Sequence, residues 1–104
     1  MSKRLAYLET LIAKGQADSF ARYAYALELK GAGRLDDALA AFEALREHDA
    51  AYVPMYLMCG QMLIDAGRAG AAVGWIEQGI AKATAAGDSK AIGELKDALA
   101  RCGS

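Results

Sequence analysis

The sequence predicts an all-α fold of stacked helical hairpins, and three observations carry that prediction. A pattern returns at a spacing of 34 residues: Gly33-Arg34 as Gly67-Arg68, Ala38 as Ala72, and Phe42 as Ile76. Self-similarity at a period of about 20 to 50 residues marks an architecture in which each repeat is one supersecondary unit. Glycines cluster at Gly31, Gly33, Gly67, Gly70 and Gly87, where they can end helices, and Pro54 is the single proline. Apolar residues fall on one helical face in successive segments, and at 55% of the chain they suffice for a core.

The 104 residues suit one domain, 1–104. Its first element is a helix over 3–14, where Leu5, Leu8, Leu11 and Ile12 share a face. Leu8 and Leu11 stand one period before Phe42 and Leu45, so this segment reads as the second helix of a hairpin whose first helix is missing. Two full units follow, 19–52 and 53–86. Ala26, Leu29 and Ala32 in the first match Gly60, Leu63 and Ala66 in the second. The small pairs Ala26/Gly60 and Ala38/Ala72 fit places where two helices cross closely, with Phe42 and Ile76 filling the space beside them. Between the helices, the turns at Gly33 and Gly67 call for the left-handed conformation that glycine adopts without strain. Asp36 and Asp37 then complement the dipole at the start of the next helix. Gly74 and Gly79 inside a helix each cost about 1 kcal/mol relative to alanine, so close helix approach is expected at both, and a homodimer contact is an alternative. Last comes a closing helix over 88–101, capped by Asp88 or Ser89, with Ala91, Ile92, Leu95, Ala98 and Leu99 as its stripe.

These residues resemble the tetratricopeptide repeat family, and specifically its small stand-alone proteins of bacterial type. The family pattern sets small residues at Ala26 and Ala38, and at Gly60, Ala72 and Gly79. It sets large apolar ones at Leu29 and Phe42, and at Leu63 and Ile76. Leu45 departs from it where a small residue is usual, neither unit carries the usual late proline, and Arg22 stands where a large apolar residue is common. The resemblance implies an α–α superhelix: two full repeats flanked by N- and C-terminal capping helices, six helices in all. It also implies a non-catalytic protein–protein interaction scaffold or adaptor.

In such proteins the first helix of each repeat lines a concave face. That places Phe20, Tyr23, Leu27 and Lys30 from the first repeat, Leu57, Gln61 and Ile64 from the second, and Leu95 from the closing helix in a partner-binding groove. The list is unusually apolar for a free surface, which marks an interaction site. The opposite reading is that the closing helix folds over the groove and buries it. The family's clamp for acidic chaperone tails needs lysine and asparagine where Tyr23 and Leu27 stand, and a basic pair where Asp88 and Ile92 stand. An apolar or amphipathic segment of a protein or peptide is therefore expected, not an acidic tail. Trp75 admits two readings, an outward anchor for a dimer or partner, or a residue packed on the closing helix. Self-association into a homo-oligomer through the groove or the Trp75 face is the alternative function.

Other classes find little support. A net charge of −1 lacks the basic footprint of a nucleic-acid binder and any polybasic membrane anchor. No apolar run approaches the roughly 20 residues of a membrane span, and the N-terminus lacks a signal peptide, so a cytoplasmic location is expected. With one histidine, His48, and two distant cysteines, Cys59 and Cys102, neither a metal site, a cofactor site nor a disulfide framework is expected. The reading is of a protein that is not an enzyme.

Overall fold

Helix ends in this chain are fixed by short-range hydrogen bonds that the sequence supplies. Ser2, Asp18 and Asp88 are N-caps whose side chains accept from the amides of Leu5 (3.3 Å), Ala21 (2.8 Å) and Ala91 (3.1 Å), meeting donors that a helix start leaves orphaned. At the other ends, the Arg34 amide donates to the Leu29 carbonyl (3.0 Å) and the Gly33 amide to that of Lys30 (3.1 Å). One repeat later Arg68 donates to Leu63 (2.8 Å) and Gly67 to Ile64 (3.0 Å). This paired closure needs a left-handed residue at the turn, and Gly33 and Gly67 hold φ of 76° and 77°.

The computed structural model describes residues 2–103. Among them are six helices and no strand: α1 (Lys3–Ala13), α2 (Ser19–Gly31), α3 (Leu35–His48), α4 (Pro54–Asp65), α5 (Ala69–Ala86) and α6 (Ser89–Cys102). The helices divide between two compact units, Met1–Asp49 and Ala50–Ser104. Among the described residues no helix is long and apolar enough to cross a membrane.

In the first unit α2 packs against both α1 and α3. Ala26, Leu29, Ala38, Phe42 and Leu45 are all at most 1% exposed. The predicted small-residue contact is thus used: a methyl side chain on each helix lets the pair close around Phe42. Leu5 and Leu8 bury the inward stripe of α1. The Ser19 hydroxyl donates to Asp49 at 2.7 Å, tying the start of α2 to the end of α3.

In the second unit α5 packs against α4 and α6, and α4 also reaches α6. A Cβ on Gly60 would lie 2.6 Å from Ile76 Cγ1, so glycine is what permits the α4–α5 crossing. Gly79 marks the meeting of all three helices. A Cβ there would lie 2.5 Å from Tyr56 Cβ on α4 and 3.0 Å from Leu95 Cδ2 on α6. The Tyr56 hydroxyl donates to the Ala50 carbonyl, which satisfies the polar tip of an otherwise buried ring. Close approach at Gly79 is therefore real, whereas the expectation for Gly74 is corrected. Gly74 is exposed, with no atom within 4 Å of the place its Cβ would take, because it lies on the face of α5 turned away from its partners.

Candidate partner-binding faces

The helix α2 carries four of the residues singled out from the sequence. Phe20 is 64% exposed, an unusual state for a large aromatic, while Tyr23, Leu27 and Lys30 are half-buried. The helical period brings Phe20, Tyr23 and Leu27 to one side of α2. There they line a cleft of about 680 Å³ closed on its far side by Arg4 and Leu5 of α1 and by its N-cap, Ser2. Lys30 does not line it.

The cleft has an apolar floor and a charged end. Leu5 and Ala24 are buried beneath it. Arg4 on α1 and Glu28 on α2 pair at 3.4 Å, and Gly31, Ala32 and Arg34 close the cleft where α2 ends. Arg34 also pairs with Asp37 at 2.9 Å, an exposed contact that contributes little to stability. Arg4, Glu28 and Arg34 are not among the sequence-derived site residues, and Arg34 enters there only as a mark of the repeat. The signal was there in the 34-residue spacing, which makes α1 the second helix of a hairpin and so a wall beside α2.

The side of α2 bearing Tyr25 has a different electrostatic setting. Burial is the main cause that lifts the Tyr25 phenol above its usual range, the charge of Glu9 adds to it, Arg34 opposes it, and Asp37 adds a smaller push.

In the second unit Leu57, Gln61 and Ile64 are half-buried on α4. They fall on one side of it by the same spacing. The groove placement of Leu95 is corrected, and of the two readings of Trp75 the outward one does not hold. Leu95 is 0% exposed and cannot line a groove, because α6 turns it inward to the junction with Gly79 and Tyr56. Trp75 is 7% exposed and offers no docking surface. Its ring sits 6.1 Å from that of Tyr56 at 51°, a tilted aromatic pair inside the unit. His48 is exposed at the end of α3, and Cys59 is fully buried in α4. Burial keeps the Cys59 thiol from solvent.

Among solved structures, the chain is similar to a tetratricopeptide repeat domain protein from Salinibacter ruber. Its solution structure is 36% identical, with a TM-score of 0.76 over 82% of this chain and 86% of that one. Its crystal structure gives the same identity and TM-score over 84% and 98%. A protein from Bordetella parapertussis, known from its solution structure, is 25% identical with a TM-score of 0.82 over 99% of this chain and 90% of that one. Neither a family model nor a curated protein matches the chain.

Proposed function

Because the chain belongs to the tetratricopeptide repeat family, we propose that it is a non-catalytic protein-interaction scaffold. In each unit, taken by itself, the docking surface for an apolar or amphipathic segment of another protein is the solvent-facing side of the first-of-hairpin helix. In the first unit that side is Phe20, Tyr23 and Leu27, with Lys30 beside it. In the second it is Leu57, Gln61 and Ile64.

The observation that carries this reading is the apolar cleft beside α2, with Phe20 at its lip and 64% exposed. Leaving a phenylalanine in water forgoes about 1.5–3 kcal/mol of burial, and exposed aromatics over concave apolar surface are what binding surfaces select. The surroundings disfavour an acidic tail, since Asp88 is engaged as the α6 cap and Tyr23 and Leu27 offer no cation.

The test is affinity capture from the native host with the wild-type chain and a Tyr23→Ala/Leu57→Ala variant that keeps its helical circular dichroism. The reading expects specific partners to be lost from the variant. Unchanged capture of every partner by the folded variant would sink the site assignment.

A further inference from the structure

The two units contain the same kind of helix pair in two different states. In the second unit the pair α5–α6 holds a third helix, α4, against both members. The pair α1–α2 lies two repeat periods earlier: Leu8 corresponds to Ile76 and Leu27 to Leu95, each 68 positions apart. Ile76 and Leu95 are both 0% exposed, and Leu8 is likewise buried at 6%. Leu27 alone is left half-buried, lining the open cleft. Among the described residues, no helix of the first unit lies against α1 and α2 as α4 lies against α5 and α6.

We propose that this cleft docks an amphipathic helix of a partner protein, laid along α2 as α4 is laid along α6. It would rest its apolar side on Leu5, Tyr23 and Leu27 and bring a carboxylate in its last turn to Arg34. The proposal deepens the scaffold reading and rests on it.

Length, backbone chemistry and charge each favour this occupant. From Phe20 to Gly31 the cleft follows α2 for about 16 Å, or three helical turns, which suits a helix the size of α4, 12 residues. A helix satisfies its own backbone donors and acceptors, whereas an extended segment would lay unpaired amides and carbonyls on the apolar floor. Asp65, the last residue of α4, meets Arg101 of α6 at 3.8 Å. Arg34 stands one position past the residue equivalent to Arg101 and lines the same end of the cleft. Its present bond to Asp37 is exposed and exchanges at little cost.

The probe is a synthetic peptide carrying residues 50–68 of this chain with Cys59→Ser, capped at both ends and titrated into the isotope-labelled full chain. The expected result is saturable amide shifts at Leu5, Phe20, Ala24 and Leu27, helical chemical shifts in the bound peptide, and affinity about fivefold weaker in Arg34→Glu. Absence of shifts at millimolar peptide, shifts confined to α5 and α6, or an extended bound peptide would each overturn the proposal. So would light scattering that shows a dimer dissolved by Leu27→Lys, for then the occupant is a second copy of the chain. Arg34→Glu alters only an exposed side chain, so the assay survives if Leu27→Lys fails to fold. An inert peptide together with successful partner capture removes the helix and leaves the scaffold. Failed capture with a binding peptide removes the site assignment and leaves the cleft's helix preference.

Discussion

Leu27 and Leu95 are the same residue type at the same place in the repeat, and they have opposite fates. Leu95 lies under α4 at a three-helix junction and is fully buried, while Leu27 lines an open cleft. Nothing about leucine or its helix decides between core and surface. What decides is whether a third helix lies on the pair, so a repeat position becomes a candidate binding residue where the stacking of helices stops.

The comparison breaks most readily at the leucines themselves. Leu95→Ala should destabilise the protein by about 2–5 kcal/mol, the cost of a cavity in packed surroundings. Leu27→Ala should cost less, about 1 kcal/mol, since part of its side chain is already in water. Urea unfolding of both variants checks this, and equal losses would mean that the cleft is as well packed as the junction.

A smaller contrast lies within α5. Gly79→Ala forces a methyl to within 2.5 Å of Tyr56 Cβ, a near-backbone atom with little room to move, and should cost about 1–3 kcal/mol. Gly74→Ala meets nothing within 4 Å and should instead stabilise by up to about 1 kcal/mol through helix propensity. Opposite signs in thermal melts sharpen the reading of α5 as having one packed and one free side.

The smallest effect concerns Tyr25 on α2. Burial, helped by Glu9 and then countered by Arg34 despite Asp37, raises its phenol above the usual 10.0. The folded protein therefore holds that proton longer than the unfolded chain does. Stability from this source is intact below pH 10 and falls as pH rises through the folded value. Tyr25→Phe should flatten that alkaline decline slightly and leave stability at neutral pH within about 0.5 kcal/mol. An identical alkaline slope in the two proteins contradicts the assigned shift.

The repeat made most of the fold legible, because the sequence encodes it twice over: a 34-residue offset and glycines at the turns. Gly33 and Gly67 are left-handed as their positions required, and the crossings at Ala26 and Gly60 are close-packed. The faces were harder. Phe20, Tyr23 and Leu27 stand on an accessible side of α2, but Leu95 and Trp75 are buried. Repeat position alone cannot separate these cases, since helical spacing gives which residues share a side and not what covers that side. The charges of the cleft, Arg4, Glu28 and Arg34, were hidden for a related reason: ordinary surface arginines gain meaning only when a neighbouring helix encloses the space between them.

Thiol labelling reads the openness of the α2 face. In a Cys102→Ser background, Leu27→Cys adds one reporter thiol beside the fully buried Cys59, which serves as an internal reference. Cys59 should stay protected while the thiol introduced at 27 reacts with a maleimide many times faster than Cys59. Equal protection of the two thiols in the folded protein would contradict that openness.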